Sequence, residues 1–343
     1  VDWRKGLSIS VVVILVAIVI VSELTFDTGS QNALEVYSAD AYVPEVSAML
    51  HAFREKTGIG YEPVVSGGSF YMARKIALGA PASLFFSVSL KAYGTGFLND
   101  RSDGWALAIA SDQMVIAYSN STLSRPYAVN LVREFKNASA SNSSAMMASA
   151  FAGLCSGKVK VGISNPAIDP AGVRGWLLLE IAGYLYHNGD ENYYTTMIRE
   201  NGGNITGANA AELVSPLVLG HVDFLFIYRS AALSHNLSFI TLPPVLNQGD
   251  PSLASFYERF NVSFGGSSVA GTPILLFVST IRNGSLLREA SEFISFVMNS
   301  TSMLERFGLT VPSKLLLFGN PGDHEFLLWG LLSGKIKVAS DAL

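Results

Sequence analysis

Two segments about fifty residues apart constrain the fold of this chain more than any others. They are residues 161–176 (VGISNPAIDPAGVRGW) and 222–230 (VDFLFIYRS). Each reads as a buried strand that stops abruptly at small and polar residues. The first runs on through Asp169, Pro170 and Gly172 into the apolar helix LLLEIAGYLYH. That turn carries a carboxylate at a helix N-terminus, where backbone N–H groups are unpaired and a small oxyanion is well placed. Taken alone, Asp169 before Pro170 also reads as a helix N-cap followed by a proline at the first helical position.

The same strand-and-helix grammar recurs along the chain. Residues 34–37 read as a strand. Residues 43–56 read as an amphipathic helix, with Val43, Val46, Met49, Leu50 and Phe53 at helical spacing and a stop near Gly58. A strand over 60–65 leads into Ser66-Gly67-Gly68-Ser69 and a helix through FYMARKIALG. Further strands are expected at 84–88, 114–118, 158–164, 222–228 and 272–280, and further helices at 170–186, 211–219 and 286–298. Such alternation argues for an α/β protein with parallel sheets, whose ligands bind beyond the strand C-termini. Residues 137–150, rich in Ser, Ala and Asn, read as a surface loop or an interrupted helix. The tail from Lys314 carries no readable motif.

Composition restricts the function. With 343 residues and 49% hydrophobic content, the chain can bury one large core or two medium ones. A net charge of -4 and no basic cluster interleaved with aromatics argue against nucleic acid as a partner. Arg4 and Lys5 precede an uncharged stretch over 6–22, roughly 25 Å long as a helix and just enough to cross a bilayer core. The positive residues stay inside and the remainder is sent outside. A cleaved signal peptide is the rival reading. No small-x-small cleavage site follows and no cysteine is there to carry a lipid, so a retained anchor is favoured. Eight N-x-S/T sequons (Asn120, Asn137, Asn142, Asn204, Asn236, Asn261, Asn283 and Asn299) fit a glycosylated surface protein; chance would give about three. The single Cys155 cannot form an internal disulfide and reads as a small core residue.

The string VGISNPAIDPAGVRG, followed by GHVDFLFIYRSAALSHNLSFITLP and DPSLASFYERFNV, resembles the archaeal molybdate/tungstate-binding proteins, the solute receptors of oxyanion ABC importers. The earlier pieces SGGSFYMARKIALGAPA and SDQMVIAYSN fall in that family's order, and the similarity covers roughly residues 35–312. The resemblance implies a two-lobed periplasmic-binding-protein-like fold of type II, with the ligand in the interlobe cleft. Lobe one would combine 33–114 with 273–320, and lobe two would span 115–272. Residues 1–32 would supply a cytoplasmic stub, the transmembrane anchor and a spacer, and 321–343 a C-terminal tail. The chain would cross between lobes near 114–118 and 272–280. Such receptors close around ligand by a hinge motion.

The resemblance also implies site residues. Ser69 matches a serine that donates to the oxyanion from a helix N-terminus, and Ser87 a small polar position at a strand end. Asp169 matches the carboxylate of the N-P-x-x-D-P motif, Glu212 a glutamate in the helix before the IYRS strand, and Tyr228 the tyrosine ending that strand. The first donor serine of the family falls on Asp40, which would accept hydrogen bonds rather than donate them. Two unit charges at about 4 Å repel by about 4 kcal/mol at an effective dielectric of roughly 20, so carboxylates facing a dianion look misplaced. They make sense as ligands to the molybdenum or tungsten, a hard centre to which Asp169 and Glu212 would bring the coordination to six. Each residue has a plainer role available: Ser69 and Asp169 as caps, Glu212 as a solvated helix residue, Tyr228 as core packing.

The implied protein is a monomeric receptor without a cofactor, anchored at the cell surface, that binds molybdate or tungstate and hands it to an ABC permease with its ATPase. Two alternatives stand beside it: a receptor for sulfate or phosphate, and an extracellular hydrolase. The hydrolase lacks sequence support, since there is no G-x-S-x-G and the five histidines show no metal-binding spacing.

Overall fold

The computed structural model describes residues 33–264 and 266–339. The expected membrane segment at 6–22 lies outside them. Among the described residues no helix is long and apolar enough to cross a membrane.

The chain begins its first sheet with strand β1 (Val36–Ala39), all four residues buried. Helix α1 (Val43–Thr57) follows, with Pro44 in its first turn and Gly58 at φ 78° closing its C-terminus. Its buried face is Val46, Met49, Leu50 and Phe53, at the expected spacing, and in addition Glu45. Strand β2 (Val65–Gly67), helix α2 (Ser69–Ala77), strand β3 (Leu84–Ser87) and strand β4 (Trp105–Ser111) come next. The chain then passes through Asp112 and Gln113 into a second sheet, which begins with β5 (Met114–Tyr118).

The second sheet is flanked by α3 (Pro126–Ser141) and α4 (Ser144–Leu154), whose rings Phe135 and Phe151 meet edge to face at 5.1 Å. These helices fall in part where a loop or an interrupted helix is expected. The interruption is real but short, with Asn142 in the left-handed region at φ 48° and Ser143 capping the next helix. Strand β6 (Val161–Gly162) leads to α5 (Pro170–Tyr186), and β7 (Asn204–Ile205) to β8 (Phe224–Tyr228). Helix α6 (Arg229–Ser234) and strand β9 (Ser238–Thr241) complete this half. The chain returns through residues 271–274 to β10 (Leu275–Thr280), then α7 (Leu287–Ser300), β11 (Leu315–Gly319), α8 (Glu325–Leu332) and β12 (Ile336–Val338). The segment beyond Lys314, unreadable in sequence, thus supplies two strands to the first sheet.

The strands form a seven-stranded sheet, ordered β12-β11-β4-β10-β3-β1-β2, and a five-stranded sheet, ordered β9-β5-β8-β6-β7. Neither is purely parallel, which corrects the expectation from alternation. Strand β10 runs antiparallel to both β3 and β4, and β5 antiparallel to β8 and β9. The physical reason is that parallel neighbours need a crossover connection within one sheet. Here β4 leaves for the other sheet, and β10 arrives from it and inserts between β3 and β4. The two chain passages are themselves bonded, Asp112 N–H donating to the Ile274 carbonyl at 3.0 Å.

Helix α5 sits tightly on its sheet because glycine lets it. A Cβ on Gly172 would lie 2.2 Å from the Ser164 carbonyl oxygen, and one on Gly175 would press on Ile163 and Phe226. Residue 172 therefore brings the helix N-terminus onto the end of the VGIS strand.

Glu45 is fully buried, and neither carboxyl oxygen has a hydrogen-bond partner among the described residues. Burial pushes its carboxyl up to about 8, and the charge of Asp112 adds to this. The folded state thus binds a proton there that the unfolded chain releases near its ordinary value, so stability from this group is full at low pH and is lost as pH rises toward about 8. Glu45→Gln should leave the thermal midpoint at pH 5 nearly unchanged and raise it relative to the parent at pH 9. Equal shifts at both pH values would refute the buried neutral carboxyl.

Candidate functional site

A cavity of about 380 Å³ lies between the two sheets and takes its walls from both. One wall is built from Asp40, Ala41, Gly68, Ser69 and Val88, the other from Asp169, Ala171, Ala210 and Tyr228. Four of the six residues expected in the site, Asp40, Ser69, Asp169 and Tyr228, line this one space.

On the first wall, Asp40 opens a 3-10 turn directly after β1, and its Oδ1 accepts the Ala41 N–H at 3.0 Å. Burial raises its carboxyl above the usual range, and the charge of Glu212 at the opposite rim adds to this. Ser69 is the first residue of α2, with Gly68 as the N-cap. Its Oγ accepts the Val88 N–H at 3.3 Å, which leaves its own proton free to donate. Ser87 is buried behind this wall. Its hydroxyl donates to Ser89 O and accepts from Ser89 N–H, both at 3.0 Å, so the donor is used locally and Val88 reaches the cavity instead.

On the second wall, Asp169 caps α5. Its Oδ1 accepts Ala171 N–H at 3.0 Å and its Oδ2 accepts Ala210 N–H at 2.9 Å. The plain capping role and a place in the cavity therefore hold together, because each carboxylate oxygen keeps a further lone pair. Burial pushes this carboxyl up to about 6; the neighbouring Ser164 hydroxyl and the two amides oppose the shift, and the charge of Asp40 adds to it. Tyr228 ends β8 with its hydroxyl buried beside Arg174 and, among the described residues, without a hydrogen bond of good geometry. Its ring stacks on Tyr42 at 6.0 Å, and the charge of buried Arg174 partly offsets the upward push of burial on its hydroxyl. Glu212 is exposed at the rim. Its Oε2 accepts Ala208 N–H at 3.0 Å, while Asn209, Ala210 and Ala211 of the same turn reach the cavity.

Sequence reasoning did not single out Ser164. It is almost wholly buried beside Asp169, and its Oγ makes no hydrogen bond of acceptable geometry. The available signal was its position at the strand end eight residues before Gly172, whose missing side chain lets α5 close on it.

Among the described residues no Lys or Arg lines the cavity, and His235 is the one basic side chain on its wall. An anion here would be held by neutral donors and by the N-termini of α2 and α5, both of which open onto the space. At the mouth the two walls touch. A Cβ on Gly68 would sit 3.0 Å from the carbonyl oxygen of Ile168 on the far side.

Two α/β sheets joined by two chain passages, with a small cavity between them onto which helix N-termini open, have the layout of a cleft-type solute receptor. The comparisons agree. Residues 34–310 match the bacterial extracellular solute-binding proteins, and the chain belongs to that family. A solute-binding protein of Sulfurisphaera tokodaii without an assigned solute is 34% identical over 89% of this chain and 82% of its own length. The molybdate/tungstate-binding protein of Thermococcus kodakarensis is 28% identical over 41% of this chain and 45% of its own. Among solved structures, the periplasmic molybdate-binding protein of Azotobacter vinelandii superposes with a TM-score of 0.53 at 15% identity, covering 81% of this chain and 99% of that one. The sulfate-binding protein of Mycobacterium tuberculosis H37Rv gives 0.54 at 13% identity over 81% and 86%. These likenesses support the fold. The chain is a solute-binding protein and not an enzyme, as its family is.

The contact at Gly68 yields a test. Gly68→Val places a branched side chain against the Ile168 carbonyl, so the lobes cannot meet. Small-angle scattering should report a larger radius of gyration than for the parent at an unchanged thermal midpoint; an identical radius would show that the contact does not limit closure.

Proposed function

We propose that this chain is the receptor of an ABC importer and that its solute is molybdate or tungstate, held between lobes built from residues 33–114 with 273–320 and residues 115–272. The observation that carries the reading is the composition of the cavity wall. Two carboxylates, Asp40 and Asp169, share it with Ser69 and Tyr228, and among the described residues no Lys or Arg lines it. A simple anion site would avoid carboxylates. An oxyanion whose central atom takes further oxygen ligands has a use for them.

In this reading Ser69, Ser164, Tyr228 and the N-terminal amides of α2 and α5 hold the oxyanion oxygens. Asp169 reaches the metal centre with a free lone pair, and Glu212 joins it by swinging in from the rim. Sulfate and phosphate, whose central atoms do not readily accept added oxygens, would meet the carboxylates as repulsion alone. Extracytoplasmic placement rests on the apolar run at 6–22 and on the sequons, of which all but Asn204 are exposed. Membrane anchoring, glycosylation and the monomeric state belong to the same proposal.

Titration calorimetry with sodium tungstate, molybdate, sulfate and phosphate on the protein from residue 32 onward tests the reading. Binding of the first two with at least about a hundredfold preference, or about 2.7 kcal/mol, is expected. Preference for sulfate or phosphate, or no binding at all, overturns it. Asp169→Ala and Glu212→Ala should each weaken tungstate by tenfold or more, and unchanged affinity in both would make these residues structural.

The sign of the pH dependence separates two roles for Asp169. As a metal ligand it must be ionised, so tungstate affinity should fall as pH drops through about 6. Measuring this in Asp40→Ser removes the second cavity carboxylate from the titration. Affinity that rises on acidification would mean that Asp169 acts as a neutral hydrogen-bond donor.

A further inference from the structure

Asp112 is the buried residue at which the chain first passes from one sheet to the other, and groups from both sides of the cleft donate to its carboxylate. Tyr42 Oη, from the first side, donates to Oδ2 at 2.9 Å. Ser230 Oγ, from the second side, donates to the same oxygen at 2.5 Å. The N–H groups of Gln113 and Ser230 donate to Oδ1 at 2.7 and 3.4 Å. Tyr42 is fully buried, and Ser230 and Asp112 nearly so, which means that a donor released from this carboxylate finds no water unless the interface opens.

The partners of Asp112 stand next to the cavity walls. Tyr42 closes the 3-10 turn that begins with Asp40, and Ser230 lies two residues after Tyr228. The Tyr42 ring stacks on the Tyr228 ring, so the link to Asp112 fixes the aromatic pair from both sides. Adjacent bonds tie the same passage to its surroundings: Arg229 N–H donates to Gln113 O at 2.9 Å and Arg229 Nη1 donates to Gly308 O at 2.7 Å.

We propose that Asp112 is a positioning residue which holds the two cleft walls in their closed arrangement, so that shape of the site and closure of the lobes are set by one carboxylate shared between them. Opening the cleft must separate Tyr42 from Ser230, and one of the two donors must leave Oδ2. The carboxylate thereby biases the receptor toward the closed form before any solute arrives. The proposal rests on the reading of the chain as a cleft-closing receptor, but not on which anion it carries.

The test measures lobe separation directly. Leu78→Cys and Leu219→Cys place labels at exposed sites on opposite sides of the cleft, while buried Cys155 stays unlabelled. Spin-label or fluorescence distances are recorded without solute and with 1 mM sodium tungstate. The unliganded parent should show a closed population. Tyr42→Phe and Ser230→Ala, which each cut the link on one side, should reduce the closed-to-open ratio by about tenfold, in line with the loss of a hydrogen bond to a charged acceptor.

In an Asp112→Ala background neither substitution should change the ratio further, because the shared acceptor is gone. A merely structural role would lower the thermal midpoint while leaving the ratio unchanged, and that result overturns the proposal. If Asp112→Ala does not fold, the two single variants decide it alone. Failure of the parent to bind tungstate would sink the solute assignment, yet the unliganded distances would still decide the role of Asp112.

Discussion

The structure depends on the way two sheets are joined by two short passages of chain that lie side by side. Asp112 on one passage bonds Ile274 on the other through the backbone, and its buried carboxylate gathers donors from both halves. A cleft closed by so narrow a joint has few relative positions open to its walls. The cavity residues Asp40 and Tyr228 stand within two positions of the groups that Asp112 holds. Geometry at the joint is therefore geometry at the site.

Electrostatics sets the second constraint. In the proposed reading a solute with two negative charges would enter a space lined by carboxylates and, among the described residues, by no Lys or Arg, so its oxygens would be met by hydroxyls, amides and the positive ends of helices. Asp169 shows how one group serves two demands. It already satisfies the amides of Ala171 and Ala210, which fixes its orientation, and it retains lone pairs directed elsewhere. Asp40 places a second carboxylate in the cavity wall. Half-buried opposite Asp169 and Glu212, it raises the cost of any anion that offers nothing to the carboxylates in return.

Much of this was legible in the sequence where local chemistry decides structure. The Asp-Pro cap delimits Pro170–Tyr186 and the Gly-Ser turn starts Ser69–Ala77, because caps and turn residues act through their own neighbours. Strand Trp105–Ser111, central in the first sheet, escaped notice since its alternate alanines carry little strand preference and its burial comes from neighbours far along the chain. The mixed sheets were hidden for the same reason: strand direction follows from which sheet a connection enters. Glu45 stands in the first turn of α1, where an acid is ordinary, and only the tertiary packing of the helix buries it. Ser164 and the Gly68 contact with Ile168 likewise exist only once remote backbones meet.

The claim that carboxylates complete the coordination of the bound metal is tested most directly by X-ray absorption at the tungsten edge on the protein loaded with one equivalent of tungstate. Six oxygen neighbours around tungsten, falling toward four when Asp169 and Glu212 are both replaced by alanine, is the predicted result. Four oxygen neighbours in the parent protein would mean that the anion is bound intact, and would contradict the account.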